Sequence, residues 1–129
     1  MAKNAVCWFE IYVNDITRAK KFYEAVLDQT LTRLDNPDKP KDFPQPEMWA
    51  FPMQQQPGAS GAICKMEGVN AGGNSTLVYF DSEDCSVEAA RVEKAGGKLI
   101  APKMSIGEYG FIAIAQDTEG NSIGFHSIK

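Results

Sequence analysis

The chain has 129 residues, 43% of them hydrophobic and 23% charged, a composition that fits one ordinary globular domain. The formal net charge is −4, and Lys and Arg are scattered apart from Arg18, Lys20 and Lys21 on one predicted helix, so a nucleic-acid partner is not expected. No run of about 18 apolar residues is present and Met-Ala-Lys-Asn opens no signal-peptide core, so neither a membrane span nor export is expected.

Ala5 to Val13 reads as the first strand. Cys7, Phe9, Ile11 and Val13 alternate with Val6, Trp8, Glu10 and Tyr12. The first set is small and apolar, suited to packing against a helix, which would leave Cys7 inert. The second set places a carboxylate between two large aromatics, a pattern natural for a cleft wall. Asp15 then caps a helix to about Leu27. Ile16, Ala19, Phe22, Tyr23 and Val26 form its apolar stripe, and Arg18, Lys20, Lys21 and Glu24 take the other side. Leu31 to Leu34 can form a short strand. From Asp35 to Pro46 four prolines forbid helix and central strand, so a loop is predicted, either a functional flap or a tolerated insertion. Glu47 to Met53 and Ala62 to Met66 read as strands, with Pro52 placing the end of the former at an edge. Gln54 to Gly61 is read as a turn region between them. Glu67 to Asn74 is a Gly- and Asn-rich linker.

A second round follows. Thr76 to Asp81 is a strand. Ser82, Asp84 or Ser86 can cap a helix through Ala95, and Gly96-Gly97 stops it. Near that helix start Cys85 has the setting of an activated thiol, or more simply of a packing residue. Lys98 to Ile100 is a strand and Pro102 to Tyr109 a loop. Phe111 to Gln116 and Asn121 to Ser127 form a hairpin around Asp117-Thr118-Glu119-Gly120-Asn121, where Asp and Asn bond their own backbone and Gly120 takes a positive φ. In the last strand Ile123 and Phe125 face one way, and Ser122, Gly124 and His126 the other. Each half of the chain thus reads strand, helix and three strands. This is an internal repeat carried by element order more than by letters. Three cysteines, Cys7, Cys64 and Cys85, lack metal-type spacing and fit reduced thiols in the cytoplasm.

Two motifs carry a resemblance. Trp-Phe-Glu-Ile-Tyr-Val-Asn-Asp-Ile-Thr-Arg-Ala-Lys-Lys-Phe-Tyr-Glu (8–24) resembles the opening of a vicinal oxygen chelate domain, and Asp117-Thr118-Glu119-Gly120-Asn121-Ser122-Ile123 resembles its closing turn. This superfamily includes glyoxalase I, fosfomycin- and bleomycin-resistance proteins and extradiol dioxygenases. The resemblance covers essentially the whole chain and is closest to small glyoxalase-like proteins. It implies an α+β fold of two βαβββ modules, about 5–66 and about 75–128, in one domain spanning 1–129. Their strands would form a curled, cup-shaped mixed sheet with the helices outside. It also implies a homodimer.

Catalytic members hold a divalent metal in the cup with His and Glu. Mapped one position at a time, those ligands fall at Trp8, at about Thr76, near Cys64 and at Gly124. Trp8 and Gly124 offer no donor, and Thr76 and Cys64 offer poor ones, whereas chelation needs several converging donors. Neither a metal site nor any other cofactor is expected. The resemblance also turns Trp8, Glu10 and Tyr12 toward the same cup face as Gly124 and His126. Glu10 and His126 are then the candidate acid/base pair, although either could be structural. Trp8, Tyr12, Thr76, Glu108 and Gly124 are the candidate ligand-binding positions. Glu108 and Tyr109, between Gly107 and Gly110, would sit at the mouth. Trp8 is either an aromatic platform or a plug.

Three functional readings follow. The first is a protein that binds a small molecule in an apolar cup without the usual metal site. The second is a metal-independent lyase or isomerase acting on a small carbonyl metabolite, with Glu10 as base and His126 as helper. The third is a lyase with a relocated metal. The expected partners are a small molecule and a second copy of the chain, with neither nucleic acid nor membrane.

Overall fold

The computed structural model describes residues 4–35, 46–54, 58–73 and 75–129. Its elements run β1 (Val6–Tyr12), α1 (Ile16–Leu27), β2 (Thr32–Leu34), β3 (Glu47–Ala50), β4 (Ser60–Lys65), β5 (Thr76–Asp81), α2 (Cys85–Arg91), β6 (Lys98–Ser105), a 3-10 turn (Gly107–Tyr109), β7 (Phe111–Gln116) and β8 (Ser122–Ser127). Strand, helix and three strands therefore occur twice, as the two βαβββ modules require. Most of the proline-rich loop, residues 36–45, lies outside the described residues. The described chain divides into two compact units. One holds residues 8–35 and the described residues between 46 and 76; the other holds residues 4–7 and 77–129.

In the first unit β1 runs parallel to β4, with Trp8 opposite Ser60 and Tyr12 opposite Cys64. β3 lies antiparallel to β4 and to β2. In the second unit β5 runs parallel to β8, with Tyr79 opposite Gly124 and Asp81 opposite His126. β7 lies antiparallel to β8 and to β6. Counted from its own first strand, each unit has the order first, fourth, third, second. The repeat is one of topology and pairing sense, which explains why letters alone show it faintly.

The first unit is built around Leu31, Phe51 and Ile63, with Phe9, Ile11, Val13, Ile16, Ala19, Tyr23 and Trp49 packed against them. Burying each such large apolar side chain contributes roughly 1.5–3 kcal/mol. The odd-numbered residues of β1 from Phe9 onward thus face the helix, as alternation predicts. Asp15 caps α1 as expected, its Oδ1 accepting the Arg18 N–H at 3.0 Å. The helix stops at Asp28, which takes a left-handed conformation (φ 52°) that Asp tolerates. The Glu24 carboxylate then accepts the Leu31 N–H at 2.8 Å and ties the chain leaving the helix to its last turn.

The predicted apolar stripe of α1 divides. Ile16, Ala19 and Tyr23 pack inward, whereas Phe22 and Val26 are 58% and 63% exposed. The reason is that the inward face of this short helix is taken over by a 16–19–23 row. Lys20 and Glu24, expected in solvent, are half-buried. They bond each other at 3.0 Å, and the Lys20 ammonium lies 5.0 Å from the Trp49 ring centroid.

In the second unit Cys85, Ala89 and Ala113 are the buried centre, with Leu99, Phe111 and Phe125 against them. Cys85 is the packing residue of the two alternatives, and its N–H donates to Ser127 Oγ at 3.0 Å. Asp84 is the cap, accepting from the Ser86 N–H at 3.0 Å and from Lys103 Nζ at 2.9 Å. The helix ends at Arg91, not Ala95, because beyond it Ala95 N–H and Gly96 N–H also bond carbonyls three residues back in tighter turns, and Gly97 N–H closes the end on the Val92 carbonyl five residues back. β3 is shorter than predicted, ending at Ala50 before Pro52. β6 is longer, running through Pro102 to Ser105. Its register against β7 shifts on both sides of Ala101, and a proline is tolerated at such an irregularity in a strand at the end of the order. The closing turn forms as read: Asp117 Oδ1 accepts the Glu119 and Asn121 N–H groups at 2.8 and 2.9 Å, and Gly120 has φ +84°.

Candidate functional site

β1 places Trp8, Glu10 and Tyr12 on one side of the strand. Glu10 is only 7% exposed, and a carboxylate at that depth requires partners. Both its oxygens have one. Tyr12 OH donates to Oε1 at 2.8 Å and Trp8 Nε1 donates to Oε2 at 3.1 Å. The i−2 and i+2 neighbours of a strand residue are the natural donors, since all three side chains leave the backbone in the same direction. Tyr12 is buried, and burial raises its phenol well above the ordinary value, with the neighbouring Glu10 charge and Cys64 adding to the shift. Cys64 is fully buried opposite Tyr12. The group is an aromatic surface with a carboxylate set into it. Thr76, at the start of β5, is exposed.

In the second unit Gly124 is buried under Tyr79. A Cβ on Gly124 would overlap Cδ1 and Cε1 of the Tyr79 ring. A side chain at 124 therefore requires the Tyr79 ring across the β5–β8 pair to move. His126, two residues on, is half-buried, with Nε2 2.6 Å from the Tyr109 carbonyl oxygen. A carbonyl only accepts, so Nε2 carries the proton and, in the neutral ring, Nδ1 keeps the lone pair. Glu108 is exposed on the 3-10 turn beside Tyr109.

Three of the positions to which the resemblance assigns metal ligands offer no available donor. Trp8 has its indole N–H on Glu10, Gly124 has no side chain and no room for one, and Cys64 lies fully buried, its thiol 4.0 Å from the Ala62 carbonyl. Elsewhere the second unit assembles a set that sequence reasoning missed. Cys7, Asp81 and His126 each bring one potential ligating atom to within 4.8 Å of the other two, all three residues being half-buried. Alternation along β1 assigns Cys7 to the helix-facing, inert side. Only the pairing of Asp81 with His126, and the Asp81 N–H to Ala5 carbonyl bond at 2.8 Å, bring β1's first residues here. The sole local signal was that Asp81 and His126 stand near the ends of the first and last strands of one module. Glu10 and His126, the expected acid/base pair, fall in different units.

The family model for the glyoxalase/bleomycin resistance protein/dioxygenase superfamily matches residues 5–125. The chain belongs to that superfamily. Among solved structures it is similar to the methylmalonyl-CoA epimerase from Mycobacterium tuberculosis, with 15% identity, a TM-score of 0.64 and coverage of 97% of this chain and 88% of that one. It is similar also to a variant of the Streptomyces coelicolor methylmalonyl-CoA epimerase in complex with 2-nitronate-propionyl-CoA, with 13% identity, a TM-score of 0.67 and coverage of 98% of both chains. A third is hypothetical protein BH1468 from Bacillus halodurans C-125, with 12% identity, a TM-score of 0.64 and coverage of 96% and 94%. At these identities the likeness is one of fold. No curated protein matches the chain. Among the described residues no helix is long and apolar enough to cross a membrane.

Proposed function

We propose that this protein binds a small organic molecule against the Trp8–Tyr12 face of β1, without the metal set of its superfamily and without chemistry on the ligand. One observation carries the reading. Where the superfamily places a metal ligand on its first strand, this chain has an indole whose N–H is committed to a buried carboxylate, so the position serves as an aromatic wall. A flat aromatic wall held in place by a buried carboxylate suits a ligand with an apolar body. Thr76, exposed and in the same unit, is proposed as a peripheral contact, whereas Glu108 falls in the other unit.

The lyase or isomerase reading has less support. Glu10 accepts a hydrogen bond at each oxygen and has little exposure, whereas a general base must offer a lone pair to the substrate. His126 Nε2 is committed to the Tyr109 carbonyl. The coenzyme A thioesters of the structural neighbours are not carried over, because at 13–15% identity the likeness is one of fold. The test is retention of a compound when the protein is dialysed against a metabolite extract. Trp8→Ala should abolish retention; equal retention by that variant removes Trp8 from the site.

We propose also that the protein acts in a reducing compartment, its three cysteines being reduced thiols. It pairs with a second copy through the outer face of α1, where Phe22, Val26 and Leu27 are 58%, 63% and 49% exposed.

A further inference from the structure

The second unit contains a group of side chains that the ligand reading leaves unused. We propose that Cys7, Asp81 and His126 form a site for a borderline-soft divalent transition ion of the zinc type, at positions different from those of the superfamily's metal ligands. The proposal is independent of the ligand reading, since none of the three residues takes part in it.

The donor set selects the class of ion. Thiolate, imidazole and carboxylate together suit zinc and its neighbours, whereas calcium and magnesium take oxygen alone. The three ligating atoms lie within 4.8 Å of one another. Ligands about 2.0–2.3 Å from a tetrahedral zinc stand about 3.3–3.8 Å apart, so side-chain rotations of about 1 Å close the site. Three protein ligands leave a fourth position for water or an anion.

The setting of His126 favours metal over the obvious alternative, a Cys–His–Asp nucleophilic triad. A triad needs both ring nitrogens, one on the thiol and one on the carboxylate. Here the Tyr109 carbonyl holds Nε2 at 2.6 Å. A ring nitrogen donated to a backbone carbonyl is the arrangement that orients metal-bound histidines and fixes the tautomer with its lone pair on Nδ1. Tyr109 belongs to the 3-10 turn Gly107–Tyr109, which ends at Gly110 with φ +104°. The turn therefore has the role of a built support for the ring. Cys7 also differs from the other two thiols: it is half-buried, whereas Cys64 and Cys85 have no exposure.

That contrast makes the test selective. The full chain is stripped with chelator, dialysed and titrated with Zn²⁺ alone. The rate of its single accessible thiol with a disulfide reagent is followed, Cys64 and Cys85 serving as the buried background. X-ray absorption of the zinc-loaded wild type reports the donors directly. The proposal expects one zinc per chain, one sulfur among nitrogen and oxygen donors, and at least about tenfold slower labelling of Cys7. Affinity should fall more than about 100-fold in Cys7→Ser, Asp81→Asn and His126→Ala, beyond the roughly 10–100-fold typical of a supporting residue. Less than half a zinc per chain, a coordination shell without sulfur, or labelling of Cys7 unchanged by zinc overturns it. If a variant fails to fold, the wild-type stoichiometry, absorption and protection measurements decide alone. Rapid labelling of Cys7 that zinc leaves unchanged would identify a reactive thiol and not a ligand.

Discussion

Gly124, one of the positions to which the resemblance assigns a metal ligand, has a single hydrogen in place of a side chain. The absence of a side chain there is a packing requirement, because the Tyr79 ring occupies the direction a Cβ would take. Gly124→Ala should therefore destabilise the protein by about 1–3 kcal/mol through overpacking. Urea denaturation checks the value, and in a Tyr79→Leu background the penalty should largely disappear. An additive pair would mean that the ring is not what excludes a side chain at 124. Glu10 poses the complementary case. A glutamine can accept from Trp8 with its oxygen and donate to the Tyr12 hydroxyl with its nitrogen, so Glu10→Gln preserves both bonds while removing the charge. Glu10→Ala would instead strand two donors.

Among the elements, the local punctuation of the chain was legible before the structure. Asp15 caps α1, Asp117 and Gly120 make the closing turn, and β5 and β7 have the predicted bounds. Each of these is set by residues a few positions apart. What was not legible depends on which strand lies beside which. Tyr79 covers Gly124 only because β5 pairs with β8. Cys7 meets Asp81 and His126 although simple alternation sends it to the other side. β6 continues through Pro102 because a shift of register accommodates it. The same dependence on distant partners appears at α2, whose cap Asp84 also meets Lys103 from β6. The Ser86 and Lys103 hydrogen bonds hold the Asp84 carboxyl at about 2. A carboxyl lowered in the folded state stabilises above its unfolded value, near 4, and that contribution is lost as pH falls through about 2. The stability gap between wild type and Asp84→Asn, followed by urea midpoints, should be constant from pH 7 to about 4 and close between about 4 and 2. A gap independent of pH would contradict the pairing with Lys103. The effect is small, since the residue is solvent-facing.

For the whole molecule, the superfamily fold is established, and a fold does not by itself carry the superfamily's chemistry. Two βαβββ modules with the same internal strand order leave α1 with apolar side chains that its own unit does not cover. Light scattering after size exclusion should give a dimer for the wild type and a monomer for the double variant Phe22→Asp, Val26→Asp, with unchanged circular dichroism. A monomeric wild type would sink the pairing. The central claim concerns the ligand, and one measurement reaches it most directly. Wild type and Glu10→Gln are dialysed side by side against the same metabolite extract, then denatured, and the released compounds are compared by mass spectrometry at several times. The account predicts one compound retained by both proteins in comparable amount and chemically unchanged throughout. Retention of nothing by the wild type, or a compound converted by the wild type and preserved by Glu10→Gln, would contradict it.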